Sequence, residues 1–370
     1  MKKIAIIGAG IVGSTAAYYL SKTTAQVTIF DEGTGQATKA AAGIICPWFS
    51  RRRHKAWYRL ARMGADFYQD LLADLQADGI VADFYDQSGA LLLKSRPEYL
   101  EELRLLAESR LEESPLIGNL SVQTLDQIQA VYPDIAGFDR GILATGAARV
   151  EGAQLTETLL TKANFPIVRE KATLTPLSDG TYEVNGQAFD KVILACGAWL
   201  PQILEPLGYR VDVSPQKGQL RDYYFDHIDT GINPVLIPEG EIDVIPFAGG
   251  KVSVGASHEK DMGFDIRVDT EILADFEERA TVFFPRLREA QRSRDRVGIR
   301  AYTSDYCPFI GQVPDLPNVY AVSGLGSSGL TTGPLLGKVL AQLIDGQNPE
   351  ISVEDYPVGC YVFRNNSRRL

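Results

Sequence analysis

Residues 3–31 read KIAIIGAGIVGSTAAYYLSKTTAQVTIFD and decide the fold of this 370-residue chain. The apolar run 3–7 predicts a short buried strand, and residues 11–20 predict a helix whose small side chains allow close packing on a sheet. The run 26–30 predicts a second strand. Because a strand, helix and strand in this order are joined by a right-handed crossover, we expect the two strands to be parallel neighbours. The chain therefore starts as a Rossmann-like α/β unit.

The turn between the first strand and the helix carries Gly8, Gly10 and Gly13 in G-x-G-x-x-G spacing. These glycines are typical of a tight turn, of a close approach of the backbone to a pyrophosphate, and of close helix packing on the sheet. Asp31 follows the second strand, where a carboxylate accepts a hydrogen bond from a ribose hydroxyl and disfavours a 2′-phosphate. The pattern predicts a dinucleotide site at the helix N-terminus, and the alternative is a glycine turn that binds nothing.

Two later segments favour FAD over NAD, a distinction that the first motif alone does not make. Residues 40–44 (AAAGI) form a small-residue loop past which a flat ring system and its phosphate chain can run without steric conflict. Residues 323–331 (SGLGSSGLT) precede another predicted helix, whose N-terminus would stabilise the negative charge of a reduced flavin. For this second segment, a plain helix cap is the alternative.

Seven motifs in order along the chain resemble the FAD-dependent D-amino-acid oxidase and glycine oxidase family, which also includes sarcosine oxidases and D-amino-acid dehydrogenases. They are IAIIGAGIVGSTAAYYL, ATKAAAGI, VILACGAW, PQKGQL, GGKVSVGAS, RAYTSDYCPFIG and VSGLGSSGLTTGP. The resemblance covers nearly the whole chain and implies that Ala195, Cys196 and Gly197 lie near the cofactor. We interpret Cys196 as a small packing residue rather than a redox thiol, because no second Cys adjoins it in sequence.

The predicted cofactor-binding set joins these motif residues to their neighbours in the same loops. It comprises Gly8, Gly10, Ile11, Val12, Gly13, Asp31, Glu32, Lys39, Ala41, Ala42, Gly43, Ile44, Ala195, Cys196, Gly197, Trp199, Gly324, Gly326, Ser327, Ser328, Gly329, Leu330 and Thr331. Some sarcosine oxidases carry a flavin-linking Cys where this chain has Arg300, so the resemblance implies non-covalent FAD. Cys46, which follows the AAAG loop, is the alternative point for a covalent link.

Arg300 is the predicted substrate-binding residue, with Tyr302 as a second catalytic candidate. The resemblance implies that an Arg at this position grips the substrate carboxylate on one face of the flavin. A planar guanidinium matches a carboxylate through two hydrogen bonds and would aim the α-carbon at the flavin. The alternative is a surface ion pair, because Asp305 is near in sequence.

Two departures from the family pattern concern specificity. Leu325 stands where family members often carry a His, after the first Gly of the C-terminal loop. In EIDVIPF, Asp243 and Phe247 stand near the places where the family suggests an aromatic and a basic residue. If Asp243 lines the pocket, it would bind a substrate amine or a second cationic group; the alternative is a solvated hairpin carboxylate.

Composition excludes several other classes of protein. The chain has 37 Lys and Arg against 47 Asp and Glu, and its net charge of −10 argues against nucleic acid as a partner. The local basic run 51–55 (RRRHK) is interpreted as a solvated helix start. Four dispersed cysteines and three histidines without ligand spacing predict no metal site and a reducing cytoplasm. The glycines near the N-terminus argue against a signal peptide, and no transmembrane segment is expected.

The predicted architecture is α/β: a Rossmann-like FAD-binding domain with an interleaved, β-rich α+β substrate domain. We assign residues 1–80, 140–215 and 300–370 to the discontinuous FAD-binding domain, and residues 80–140 and 215–300 to the substrate domain.

The resemblance implies hydride transfer to FAD from the α-carbon of a small-molecule substrate, a D-amino acid, glycine or an N-methylglycine, followed by imine hydrolysis. In such an enzyme the cofactor carries the chemistry, while the protein supplies orientation and electrostatics. Oxygen or a quinone would then reoxidise the flavin. Two alternatives remain: oxidation of a 2-hydroxy acid by the same flavin, and a dinucleotide-binding sensor without turnover.

Overall fold

A computed structural model describes residues 1–240 and 242–364 of the chain. The α-helices of this part are α1 (Ile11–Leu20), α2 (Ala37–Ala40), α3 (Lys55–Ala77), α4 (Pro97–Glu108), α5 (Leu125–Val131), α6 (Gly152–Ala163), α7 (Leu200–Leu204), α8 (Thr270–Phe283) and α9 (Gly329–Asp345). The strands are β1 (Lys3–Ile7), β2 (Gln26–Phe30), β3 (Ile44–Ile45), β4 (Tyr85–Asp86), β5 (Ala90–Leu93), β6 (Leu120–Thr124), β7 (Arg140–Ala144), β8 (Ala148–Val150), β9 (Ile167–Val168), β10 (Leu174–Pro176), β11 (Tyr182–Val184), β12 (Gln187–Phe189), β13 (Lys191–Leu194), β14 (Tyr209–Val211), β15 (Ser214–Tyr224), β16 (Val235–Ile237), β17 (Asp243–Pro246), β18 (Lys251–Gly255), β19 (Arg292–Tyr302), β20 (Phe309–Gln312), β21 (Val319–Ser323) and β22 (Val362–Arg364).

The first sheet contains the unit that opens the chain. Its strand order is β20-β21-β13-β1-β2-β9, and every neighbouring pair is parallel except β20 and β21. Alternate residues of β1 enter different cores, because successive side chains of a strand point to opposite faces. Ile4 and Ile6 pack with α1 and α9, whereas Ala5 and Ile7 pack with residues of the small sheet β10-β11-β12. The sheet is therefore covered on both faces, as a parallel sheet requires.

The second sheet has eight strands in the order β19-β15-β18-β17-β16-β5-β7-β6. Its neighbouring pairs are antiparallel apart from β16 and β5, which run parallel. Helix α8 covers one face, where Phe276, Ala280 and Phe283 pack against apolar side chains of the central strands. This β-rich layer is built from segments that interrupt those of the first sheet, which confirms the predicted α/β architecture with an interleaved β-rich region.

The two sheets meet where the long strand β19 passes the loop before α2. Ile299 donates its backbone N–H to the carbonyl of Gly35 at 2.9 Å. Gly298 lies so close to this loop that a Cβ added there would fall 2.9 Å from the Cβ of Ala40. This contact brings the C-terminal half of β19 beside the carboxyl ends of β1 and β2. The exact domain boundaries stay a prediction, and residues 365–370 of the third predicted segment lie outside the described part.

No helix within residues 1–240 and 242–364 is both long enough and apolar enough to cross a membrane.

Candidate active site

A cavity of about 520 Å³ lies at the junction of the two sheets. Its wall combines the glycine turn after β1, the loop between α2 and β3, the turn after β13, the end of β19 and the loop before α9. In parallel α/β sheets, ligands bind at the carboxyl ends of the strands, and three of these segments follow β1, β13 and β21. The cavity is therefore the candidate active site.

Each of the three positions in the first turn requires glycine for a different structural reason. Gly8 has a φ of +103°, a backbone angle that residues other than glycine rarely adopt. A Cβ on Gly13 would fall 1.8 Å from the carbonyl oxygen of Gly8, so this glycine allows α1 to pack on the turn. A Cβ on Gly10 would meet only the Thr38 hydroxyl, at 3.4 Å, within the described residues. Gly10 thus leaves the cavity side of the turn open.

Helix α1 begins at the cavity wall, with its first N–H groups directed outward from the helix end. Its N-cap, Gly10, provides no side-chain cap, but the Ile11 N–H donates to the Thr38 hydroxyl at 3.0 Å. The first N–H groups of a helix lack intrahelical partners and bind anions favourably. Because α1 starts at the glycine turn, this end of the cavity suits a phosphate group.

Asp31 lines the cavity after β2 and organises the surrounding loop. Its carboxylate accepts hydrogen bonds from the Ala9 N–H at 2.5 Å and the Gly33 N–H at 2.6 Å. The Gln36 side-chain amide also donates to both carboxylate oxygens, at 2.8 and 2.9 Å. A carboxylate has about four acceptor positions, so these donors fix its orientation. The predicted bond to a ribose hydroxyl stays a prediction.

The small-residue loop 40–44 is anchored from the second sheet by Arg296. The Arg296 Nη1 group donates to the carbonyls of Lys39 and Ala41 at 3.1 and 3.2 Å. Its Nη2 group donates to Asp222 at 2.8 Å and to Ser253 at 3.0 Å, and Asp222 is buried. Arg296 therefore couples the position of this loop to the strands that carry the other half of the cavity.

The turn after β13 lines the cavity with Cys196 and Gly197, and Trp199 follows. Gly197 has a φ of +53°, and a Cβ there would have no described atom within 4 Å. Burial raises the pKa of the Cys196 thiol to about 12, so the thiol is neutral at physiological pH. A neutral thiol is a poor nucleophile, which agrees with a packing role for Cys196.

The loop before α9 rests on Tyr302. The Tyr302 hydroxyl accepts a hydrogen bond from the Ser327 N–H at 3.1 Å, and the ring lies directly under Gly326. A Cβ on Gly326 would fall 2.2 Å from the Tyr302 ring. Tyr302 is buried behind this loop and supports it. Gly329, which begins α9, lies in the cavity wall, so a second helix N-terminus reaches the cavity.

Arg300 also lines the cavity, and it lies near the end of β19. It stands opposite Gln216 in register and extends diagonally across Gly218, where a Cβ would fall 2.4 Å from the Arg300 Nη1 atom. The Nη1 group donates to the Ser257 carbonyl at 2.7 Å. Gly218 and Ser257 thus define the course of the guanidinium along the wall.

A buried polar cluster lies next to this contact and holds Ser257. Lys217 and Glu259 form an ion pair at 3.4 Å whose side chains are 2% and 10% exposed. Glu259 accepts hydrogen bonds from the Ser257 hydroxyl at 2.5 Å and the Gln219 amide at 2.9 Å. The Gln219 N–H in turn donates to the Ser257 hydroxyl at 2.9 Å. Fully partnered networks of this kind rigidify their surroundings, so Ser257 is held firmly against Arg300.

Asp243 and Leu325, which the sequence left open, both lie in the cavity wall. Burial raises the pKa of the Asp243 carboxyl from 3.8 to about 7, against the attraction of Lys94. Among residues 1–240 and 242–364, neither a hydrogen bond nor an ion pair reaches the Asp243 carboxylate. Asp243 is thus a half-buried carboxyl of the cavity wall, and its role towards a substrate amine stays a prediction.

Most of the predicted site residues converge on the cavity. Those in its wall are Gly8, Gly10, Ile11, Val12, Asp31, Glu32, Ala41, Ala42, Gly43, Ile44, Ala195, Cys196, Gly197, Trp199, Arg300, Gly326, Ser327, Gly329 and Leu330. Within the described part of the chain, the wall does not include Gly13, Lys39, Gly324, Ser328, Thr331 and Tyr302. These residues lie directly before, behind or between wall residues. The specific contacts of each predicted residue with a ligand stay predictions.

Several wall residues were not predicted from the sequence. They include Thr38, Lys171, Gly218, Gly298 and His258. Gly218 in PQKGQL and Thr38 before AAAG could be read in the sequence, but their roles depend on contacts between distant segments. Lys171 reaches the wall because β9, which ends at Val168, pairs with β2. In the described part of the chain, no group of His, Cys, Asp and Glu side chains is arranged to hold a metal ion.

The residues of the cavity fit an elongated dinucleotide. Glycines without a side chain face it at two turns, and two helices begin in its wall. Small side chains at Ala40, Ala41 and Ala42 leave room for a flat ring beside the second helix N-terminus. Phosphates would lie at α1, and the N-terminus of α9 would favour negative charge on the ring.

Comparison with known proteins gives the same answer. A sequence model of the family described as FAD dependent oxidoreductase, DAO, matches residues 3–343. The oxidoreductase YurR of Bacillus subtilis is 37% identical over 373 residues, which cover 97% of this chain and 100% of the relative. A glycine oxidase of Pseudomonas aeruginosa is 28% identical over 386 residues, covering 97% and 99%. The crystal structure of an iminodiacetate oxidase from Chelativorans sp. BNC1 has a TM-score of 0.91 at 32% identity, covering 96% of this chain and 98% of that chain.

The chain therefore belongs to the family of FAD-dependent oxidoreductases. It is an enzyme, and FAD is its cofactor, as the glycine motifs and the seven-motif resemblance predicted.

Proposed function

We propose that this enzyme oxidises the α-carbon C–N bond of an amino acid of the glycine, D-amino-acid or N-substituted glycine type. The observation that carries the proposal is Arg300, which lines the cavity near the end of β19. A guanidinium held in a cavity wall recognises a carboxylate through charge-assisted hydrogen bonds. The substrate would therefore bind through its α-carboxylate.

Two contacts support a fixed direction for this clamp. Gly218 provides the space that the guanidinium occupies, and the Ser257 carbonyl accepts a hydrogen bond from Nη1. The buried pair of Lys217 and Glu259 stabilises the Ser257 region. A carboxylate bound by the guanidinium would place the α-carbon reproducibly, and orientation of this kind lowers the barrier to a bimolecular step.

When bound, FAD would supply the acceptor for the hydride of the substrate α-carbon, while the nitrogen would lose a proton to solvent as the imine forms, and water would then hydrolyse the imine. The protein binds the carboxylate at Arg300, aims the α-carbon and surrounds the reacting atoms with apolar side chains such as Ala42, Leu325 and Ile237. No acid–base pair of side chains is required for this division of labour, because the cofactor carries the redox chemistry.

The names of the relatives support the same substrate class. Glycine oxidase and iminodiacetate oxidase are both named for a compound with a nitrogen next to a carboxymethyl carbon. We propose that the flavin is held without a covalent link. In support, Arg stands at position 300, and the neutral Cys196 is the cysteine in the described part of the cavity wall, whereas Cys46 lies outside that wall.

Anaerobic reduction of the flavin tests the proposed function. The purified protein should be yellow, and acid or heat should release FAD into the supernatant. Glycine, sarcosine, iminodiacetate and D-alanine are added without oxygen, with glycolate and D-lactate as matched hydroxy acids. We expect at least one amino compound to bleach the flavin and to release ammonia or an amine on turnover, while the hydroxy acids leave the spectrum unchanged.

The opposite results identify the alternatives. Bleaching by a hydroxy acid alone would assign the enzyme to 2-hydroxy-acid oxidation. A yellow protein that dithionite reduces but that no amino or hydroxy acid reduces would place its substrate outside both of these classes. Turnover in air with hydrogen peroxide formation, compared with turnover coupled to a soluble quinone, decides which electron acceptor the enzyme uses.

A further inference from the structure

The Asp243 carboxyl lies in the cavity wall and has neither a hydrogen-bond nor an ion-pair partner among residues 1–240 and 242–364. It lies at the start of β17, paired in register with Gly255 of β18. The residue is half-buried. Carboxylates that are withdrawn from solvent in native proteins are normally paired or hydrogen-bonded, because an unpaired charge is costly there. Such a group in a ligand cavity indicates that the ligand supplies the partner.

The surroundings of Asp243 point to a positive partner. Lys94, which follows β5, attracts the carboxylate but donates its hydrogen bond to the Pro238 carbonyl at 3.2 Å. Cys46 is a neutral thiol, because burial and the nearby Asp243 charge raise its pKa to about 12. His258 and Arg300 line the same cavity, on the loop after β18 and on β19. The protein thus leaves the carboxylate accessible from the cavity.

Asp243 and Arg300 are linked through one short segment. Gly255 is the register partner of Asp243, the next residue, Ala256, lies in the cavity wall, and Ser257 accepts the Arg300 hydrogen bond. A negative and a positive group therefore lie on either side of residues 255–257. An amino acid has the complementary pair of charges, a carboxylate and a protonated nitrogen.

We propose that Asp243 binds a protonated nitrogen of the substrate while Arg300 binds its carboxylate. This inference rests on the proposed function and deepens it, because it makes the cavity selective for amino acids over the corresponding carboxylic and hydroxy acids. The nitrogen is either the reacting α-nitrogen or a second amine of the side chain. Both have the same chemistry, and the experiment below separates them.

Binding to the reduced enzyme measures this interaction without turnover. The holoenzyme is reduced with dithionite under anaerobic conditions, and ligands are titrated by calorimetry. The matched pairs are glycine with acetate and D-alanine with propanoate, and D-2,3-diaminopropanoate is the ligand with a second amine. The wild-type enzyme is compared with Asp243→Asn, which keeps the side-chain shape and removes the charge.

We expect Asp243→Asn to raise the Kd of glycine or D-alanine about 10- to 100-fold, the range for a hydrogen bond to a charged group. The Kd values of acetate and propanoate should change by less than about twofold. A loss for the monoamino acids places the partner at the α-nitrogen. A loss confined to diaminopropanoate places it on the side chain. Unchanged binding of all amino compounds to the variant overturns the proposal.

A wild-type measurement keeps the test valid if the variant does not fold. Asp243 gains its charge as the pH rises through about 7. The ratio of the acetate Kd to the glycine Kd should therefore rise about tenfold between pH 6 and pH 8, following the ionised fraction of Asp243. Effects on the carboxylate that both ligands share cancel in this ratio. A flat ratio overturns the proposal.

Failure of the proposed function gives a different pattern. In that case neither amino acid binds the wild-type enzyme or reduces its flavin, and this inference falls with it. If the proposed function holds and the inference alone is wrong, glycine or D-alanine reduces the wild-type flavin, and Asp243→Asn binds it with the wild-type Kd.

Discussion

The guanidinium of Arg300 lies against the backbone of Gly218, so closely that a Cβ on Gly218 would be 2.4 Å from Nη1 and 2.6 Å from Cζ of Arg300. The two residues are diagonal neighbours on the paired strands β15 and β19. This contact makes a glycine without unusual backbone angles part of the proposed substrate site, because its missing side chain is the space that the arginine occupies.

Gly218→Ala should therefore displace Arg300 without removing it. We expect the Kd for carboxylate ligands to rise about 10-fold or more, since even a small misplacement of a clamp is costly. FAD content should stay at the wild-type level. Gly359→Ala is the matched control, because its new Cβ would meet its nearest described atom at 3.8 Å. Equal ligand binding by the two variants would contradict this role of Gly218.

Arg300→Ala should leave FAD bound and lower the efficiency of flavin reduction. A charge-assisted contact of this kind is worth roughly 2–4 kcal/mol, or about 30- to 1000-fold in kcat/KM. Arg300→Lys should recover part of the loss, because it keeps the charge but not the fork geometry. Rapid-mixing measurements of flavin reduction over a range of substrate concentrations check both variants. Wild-type reduction kinetics in Arg300→Ala would remove this residue from the active site.

Gly10→Val should abolish FAD retention while the protein remains folded. The first added carbon would have only the Thr38 hydroxyl near it in the described structure, at 3.4 Å, so the new side chain extends into the cavity. Gly13→Ala is the contrasting variant, because its Cβ would collide with the Gly8 carbonyl at 1.8 Å and disturb the fold. Flavin content and circular dichroism separate the two effects. A yellow Gly10→Val protein would contradict the predicted phosphate approach.

Arg296→Gln should loosen the cavity loop 40–44. It removes charge-assisted hydrogen bonds to the Lys39 and Ala41 carbonyls and leaves the buried Asp222 with a weaker set of partners. We expect faster FAD release and a Tm lower by several degrees, because truncating one partner of a buried charge typically costs about 3–5 kcal/mol. Arg294→Gln, an exposed position on the same strand, is the control. If both variants release FAD at the same rate, the anchoring role of Arg296 is wrong.

Asp243→Asn should stabilise the ligand-free holoenzyme at alkaline pH. The folded state raises the pKa of Asp243 from 3.8 to about 7, so this carboxyl holds its proton more tightly in the folded than in the unfolded protein. Its contribution to stability is therefore lost as the pH rises from about 4 towards 7. The Tm of the variant minus the Tm of wild type should be about 2 °C larger at pH 8.5 than at pH 5.5.

The exposed Asp70→Asn variant is the control for this measurement, because an exposed carboxylate carries little burial penalty. If the Tm difference between Asp243→Asn and wild type is the same at both pH values, burial does not raise the pKa of Asp243 in the folded protein, and the prediction is wrong.

The amino-acid sequence by itself determined the start of the fold and the cofactor, and it singled out Arg300 as the predicted substrate clamp. These features depend on local requirements. A turn with a φ of +103° at Gly8 needs glycine, and a helix packed on that turn needs Gly13, so both are visible as letters at fixed spacing. Arg300 was visible because it stands in a family motif.

Only the tertiary structure decided which distant segments meet at the cavity. The cap that Thr38 gives to Ile11 and the space that Gly218 leaves for Arg300 join residues whose separation in sequence carries no periodic signal. Tyr302, two residues from Arg300, points behind the C-terminal loop instead of into the cavity. Strand register and the packing of two sheets set these contacts, and both depend on the whole core, because a shift of one residue would turn every side chain of β19 to the other face.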